Sequence, residues 1–138
     1  MSIFEGMEDL ILDYRIESIE ILDNLDRSLM TLERGEKEEI GDSLSDALSY
    51  LHTLKGNSGM MGFEEIQTYT HKLEDLFKEV QCGNIPLDDN FTDRIFNSSA
   101  LLKDIISALN TDNAEVPSLE RALSDLQSFL ASGKGSAK

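Results

Sequence analysis

The sequence predicts an all-α protein: an antiparallel up-down four-helix bundle with an additional fifth helix at its C-terminal end. Three observations point there. Apolar residues recur at alternating steps of four and three, the spacing of one helix face. Alternation of period two, the mark of a half-buried strand, is absent over any useful length. Leu, Ser, Glu, Asp and Ile dominate, and the only two prolines, Pro86 and Pro117, stand near expected helix starts.

The first helix is expected over residues 7–32. Met7, Ile11, Tyr14, Ser18, Leu22, Leu25, Leu29 and Leu32 form its stripe. Leu12, Ile16 and Ile19 widen that face, so the helix is expected to be covered on two sides. Gly35 is the stop. The second helix spans 37–60 on the stripe Ile40, Leu44, Ala47, Leu51 and Leu54, with a turn over 59–62. The third spans 63–81, with Ile66, Thr70, Leu73, Phe77 and Val80 inward, and Gly83-Asn84 ends it. The fourth follows Pro86 to Leu109, carrying Leu87, Phe91, Ile95, Ser98, Leu102 and Ile105. Residues 110–113, Asn-Thr-Asp-Asn, read as a loop. The fifth opens at Pro117 and runs to Leu130 on Leu119, Leu123 and Leu126. Residues 132–138 read as a flexible linker or tail. Long amphipathic helices on short loops make antiparallel neighbours.

The 138 residues suit one domain. A hydrophobic fraction of 40% is too high for a disordered chain of this charge. A net charge of −15 argues against nucleic acid and anionic membranes, and suits a partner with basic residues. The lone Cys82 forms no internal disulfide, so a cytoplasmic location is expected. The first residues lack a signal-peptide layout, and no apolar run is long enough to insert in a bilayer.

Residues 51–63, LHTLKGNSGMMGF, carry the most chemistry. In a helix, His52 has Lys55 at i+3, Gly56 at i+4 and Gly59 at i+7, all on one stripe. The imidazole therefore has a cation one turn away and little side-chain bulk beside it. A glycine inside a helix costs about 1 kcal/mol relative to alanine. Accepting that cost beside a histidine suggests that another molecule must approach it. A histidine, a cation and bare backbone suit a phosphoryl group carried on nitrogen.

Hairpin geometry extends the set. If the second and third helices fold back about Met61, the residue level with His52 is near Thr70. His71 and Glu74 stand there at i and i+3, on the flank of an apolar face that would share an exposed groove with His52. A Glu74 carboxylate accepting the His52 N–H would fix the tautomer and sharpen the other ring nitrogen as a nucleophile. Lys55 would neutralise charge on a transferred phosphoryl group.

Plainer readings exist for each residue. A histidine on a helix flank is commonly just solvated, Gly56 and Gly59 can serve close packing, and Met60 and Met61 can fill core. The acidic residues other than Glu74 read as a solvated face. Lys55-Gly56 lacks the order of a phosphate-binding loop, and Gly56-Asn57-Ser58-Gly59 lacks that of a nucleophile elbow. Two histidines on different helices without clustered cysteines do not make a zinc site.

His52-Thr53-Leu54-Lys55-Gly56, then Gly62-Phe63, then Thr70-His71-Lys72-Leu73-Glu74, together resemble the histidine phosphotransfer (HPt) domain. The likeness is to the version at the N-terminus of the chemotaxis histidine kinase CheA. It covers about the first 110 residues, and the fifth helix agrees with it. The resemblance implies that residues 1–131 are a phosphotransfer domain with His52 the phospho-accepting residue and Lys55 its charge partner. It implies that Gly56 leaves room for a docking protein, and that Glu74 and His71 tune His52. It implies two partners, the catalytic domain of a histidine kinase and a response-regulator receiver domain whose aspartate takes the phosphoryl group. The chain would then be a relay, not an enzyme on its own, in two-component chemotaxis-type signalling. No cofactor is expected in this domain, since ATP and Mg would sit on the separate kinase domain, and the domain is expected to be monomeric. One position departs from the family habit: Ser49 stands three before His52, where a basic residue is common. The alternatives are a free-standing phosphorelay protein and a non-catalytic helical interaction module.

Overall fold

In a computed structural model, residues 3–109 and 119–136 are described, with the backbone alone for 3–8 and 132–136. Helices α1 (Ile3–Arg34), α2 (Lys37–Met60), α3 (Glu64–Gln81), α4 (Asp89–Ser107) and α5 (Glu120–Ser136) follow in order. No strand occurs among the described residues. α1 packs on α2 and α4, α2 on α3, and α5 lies against α3.

The predicted stripes form the core. Leu22, Leu25 and Leu29 of α1 meet Leu51 and Leu54 of α2, Ile66, Leu73 and Phe77 of α3, and Phe91, Ile95 and Leu102 of α4, all fully buried. Polar ties set the pairings. Lys103 of α4 reaches Asp23 and Asp26 of α1 at 2.7 Å each. Phe77 meets Phe91 edge-on at 5.1 Å, and the Tyr69 hydroxyl donates to Ser98 at 2.9 Å, joining α3 to α4. α5 is held by buried Leu119 and Leu126, by Arg94 over the Phe129 ring at 4.4 Å, and by the Leu119 N–H donated to Glu65 at 3.1 Å.

The loop that positions the site joins α2 to α3. Helix α2 runs through Gly59 and Met60 before it stops. Gly62 then takes a φ of +81°, a left-handed conformation that strains any residue with a Cβ. This lets the Phe63 N–H reach back to the Ser58 carbonyl at 2.9 Å and the Gly62 N–H to Gly59 at 3.1 Å, satisfying the last helical carbonyls. The same arrangement at Gly83 closes α3. Pro86 and Leu87 precede α4, whose first turn is capped by the Asp88 carboxylate accepting from Phe91 N–H at 3.0 Å.

Three expectations change. Leu12 and Ile16 do not widen the core but stand exposed, because α1 has neighbours on one side only. α5 begins at Glu120 and continues to Ser136, so the backbone of 132–136, expected as a linker, is helical. A helix already formed gains one hydrogen bond per added residue, which offsets the weak propensity of Gly133 and Gly135. Pro117 and the loop at 110–113 lie outside the described residues.

Candidate functional site

Leu51 and Leu54 point into the bundle, which turns the intervening His52 outward. Its side chain is 73% exposed. Glu74, on the facing flank of α3, is the opposite case at 4%. An ionised carboxylate that deep needs a countercharge, and Lys55 supplies it: the ammonium, 23% exposed, lies 2.8 Å from Glu74 Oε1. The contact meets the distance of a hydrogen bond but not its direction, so it is an ion pair. The other oxygen, Oε2, faces His52 Nδ1 at 3.6 Å. That is longer than a hydrogen bond, but it aims a negative charge at one particular nitrogen. The tautomer favoured by this field carries its proton on Nδ1 and leaves the Nε2 lone pair free.

The hairpin register differs from the sequence expectation. His52 faces Glu74, which centres the hairpin on residue 63 rather than on Met61. Thr70, the expected level partner, is fully buried and donates to the Ile66 carbonyl at 2.7 Å. Helix α2 runs to Met60 and the chain reverses through Met61, Gly62 and Phe63, which sets the centre at residue 63. Glu74 was expected in an exposed groove and is instead nearly buried. His71 does not join the His52 set. It is 56% exposed and its Nε2 lies 3.7 Å from Asp75 Oδ1, one turn along α3. Asp75 also takes Lys72 at 3.5 Å. The i+4 carboxylate that draws His71 away is legible in the sequence but was given no role there.

Gly56 is open. A Cβ built on it meets nothing within 4 Å. One turn beyond His52 the helix is therefore bare at Gly56 for lack of a side chain, not because a neighbour fills it. Beneath this end of α2, the Tyr14 and Ser58 hydroxyls share a buried hydrogen bond of 2.7 Å, and the Tyr14 ring tilts against Phe63 at 5.1 Å. Burial pushes the Tyr14 hydroxyl above its usual pKa, a rise that the Ser58 bond only partly offsets. This tie fastens α1 to the end of α2 and to the turn, and composition gave no hint of it.

On the outer surface a shallow cleft is lined by Leu10, Asp13, Tyr14, Glu17, Asn57, Met60 and Met61. Leu10 and Met60 are exposed large apolar residues, Met60 at 87%. Met60 was read as possible core filling and is not. Among the described residues, no cluster of His, Cys, Asp and Glu is arranged to hold a metal ion, and no helix is long and apolar enough to cross a membrane.

Known proteins resemble this chain in sequence and in fold. The chain is 25% identical to the sensor histidine kinase CheAY of Helicobacter pylori over 97% of its own length and 17% of that protein. It is 34% identical to the chemotaxis protein CheA of Halobacterium salinarum over 65% of its length and 13% of the relative. The chain thus spans less than a fifth of either of these relatives. Among solved structures it superposes on the phosphorylated P1 domain of CheA3 from R. sphaeroides, crystallised with CheY6. The TM-score is 0.79 and the identity 25%, over 91% of this chain and 98% of that one. The family model described as the Hpt domain matches residues 9–128, and with an all-helical fold and an exposed histidine backed by a buried ion pair, the chain belongs to the Hpt domain family.

Proposed function

We propose that this domain accepts a phosphoryl group on Nε2 of His52 and passes it to an aspartate of a response-regulator receiver domain. One observation supports the reading above the others: the exposed imidazole turns Nδ1 toward a buried carboxylate and Nε2 outward. In the acceptance step the Nε2 lone pair attacks phosphorus, the N–P bond forms, and the bond to the departing nucleotide oxygen breaks. No proton has to leave, because the Nδ1 proton stays on the ring. The phosphorylated ring is then cationic, and Glu74 Oε2 stabilises that charge across 3.6 Å. In the second step a receiver carboxylate attacks the same phosphorus. The N–P electron pair returns to Nε2, and the neutral tautomer is restored.

Lys55 pairs with Glu74, and its partial exposure leaves the ammonium near incoming phosphate oxygens. The relay needs a phosphoryl donor, which we take to be ATP with Mg on a kinase domain elsewhere in a longer protein; one relative is named as a sensor histidine kinase. A receiver partner is favoured by the CheA3 P1 structure, solved with CheY6, and by the open position at Gly56 with the exposed apolar side chains of Leu10 and Met60 nearby. The test is incubation with ATP and a CheA-type kinase domain, followed by mass mapping under conditions that keep acid-labile phosphate. Phosphate on the peptide carrying His52 is expected. Its absence there, or its presence on another peptide, refutes the proposal.

A further inference from the structure

Gly59 stands seven residues beyond His52 on α2, and Gln67 seven before Glu74 on α3. Both pairs are centred on residue 63, so the Gly59–Gln67 pair repeats the His52–Glu74 pair about 10.5 Å along the groove. The Gln67 amide lies directly over Gly59. A Cβ added there would clash with Nε2 and come within 2.9 Å of Cδ and 3.3 Å of Oε1. Gly59 thus makes room for this amide, whereas Gly56 makes room for nothing within the chain. Seven helical residues return almost to the same azimuth, so the amide sits on the face from which His52 projects. Neither its nitrogen nor its oxygen hydrogen-bonds a described residue, and neither is sealed from solvent.

An amide in that place has a consequence for docking. A partner that reaches phosphorus on His52 must cover the surface around it. Even a small interface of about 600 Å² per side has a radius of about 14 Å, enough to cover Gln67. The covered amide then has to be hydrogen-bonded, because a buried unpaired donor or acceptor is costly. We infer that Gln67, lodged over Gly59, is a specificity-determining residue of the phosphotransfer face, and that its amide pairs with a polar group of the docked receiver domain. This rests on the phosphotransfer reading above. A receiver that lacks a matching group is rejected at this position, independently of the chemistry at His52.

The experiment uses the domain pre-phosphorylated on His52 and a panel of CheY-type receiver domains from the source organism. The receiver with the highest kcat/KM is taken as the probe. In Gln67→Ala, the KM for that receiver should rise by about fivefold to a hundredfold while kcat holds, the pattern of lost docking energy. Gln67→Glu keeps the length of the side chain and replaces the amide donor, and should also raise KM. Gly59→Ala displaces the amide and should raise KM. Adding it to Gln67→Ala should cost nothing more, since both changes remove the same contact. Unchanged KM in Gln67→Ala overturns the inference. So does a fall in kcat alone, which would place Gln67 among residues that align His52, and so does a fully additive double variant. A wild-type domain that takes no phosphate on His52 fails the underlying reading, a result distinct from any of these.

Discussion

The Lys55 ammonium lies 2.8 Å from one oxygen of Glu74, and the second oxygen of the same carboxylate is turned to His52. One buried carboxylate therefore faces two groups: a lysine that pairs with one oxygen and a histidine turned to the other. Replacing Glu74 with Gln removes both charge interactions. Lys55 is part-exposed and rehydrates, so the loss of folding stability should be about 1–3 kcal/mol, below that of a fully buried pair. Denaturant unfolding measures this. A change within about 0.5 kcal/mol would show that the pair contributes no more than an ordinary surface contact.

Glycines on the same stripe should respond in opposite senses. Gly56→Ala places a methyl in open space and should stabilise the helix by up to about 1 kcal/mol. Gly62→Ala forces a Cβ onto a φ of +81° and should cost about 1–2 kcal/mol. Gly56→Leu should fold as well as wild type yet slow transfer to a receiver domain. Thermal melts combined with transfer rates separate the three, and normal transfer by Gly56→Leu would remove the steric role given to that position.

His71 should matter little. Its pairing with Asp75 is exposed, so His71→Ala should alter stability by no more than about 0.5 kcal/mol. Phosphoryl acceptance at His52 should stay within about twofold of wild type, whereas Glu74→Gln should lower it by about tenfold or more. Initial rates of labelling decide this. Equal losses in the two variants would place His71 in the working set after all.

Alkaline pH offers a separate check on the packing. Tyr14 and Tyr69 both have hydroxyls raised above the usual 10.0, chiefly by burial. Their folded forms hold the proton longer than the unfolded chain does. Their contribution is thus fully present below pH 10 and is lost as pH rises through the raised values. Lys103 acts in the same direction: burial lowers its pKa, but hydrogen bonds to Asp23 and Asp26 outweigh that and lift it above 10.5. Melting temperature should therefore fall steeply above about pH 10. Tyr14→Phe should lose about 1 kcal/mol at neutral pH for the orphaned Ser58 hydroxyl, and should flatten the alkaline decline. An unchanged alkaline slope in Tyr14→Phe would contradict the burial argument.

Much of this was legible in the residue order. The stripe from Ile11 to Leu32 and that from Ile66 to Val80 are buried as their spacing demands, since a helix offers one face to a core. The meeting of His52, Lys55 and Glu74 was legible too, because i+3 spacing and a short hairpin leave few alternatives. What escaped depends on depth and on turn geometry. Periodicity does not say that a flank residue such as Glu74 sinks out of solvent while Leu12 and Ile16 stay in it. Nor does it count the helical residues spent before a turn, so the register about Met61 missed the centre at residue 63. For His71, periodicity does not show that its nearest carboxylate is Asp75, one turn along its own helix.

The central claim is that Glu74 holds one nitrogen of His52 and frees the other. The most direct measurement is one-bond phosphorus–nitrogen coupling by NMR, on the phosphorylated domain with nitrogen-labelled histidine. A single coupling is expected, from phosphorus to Nε2 of His52, with the proton retained on Nδ1. Coupling to Nδ1 of His52, or to either nitrogen of His71, would contradict it.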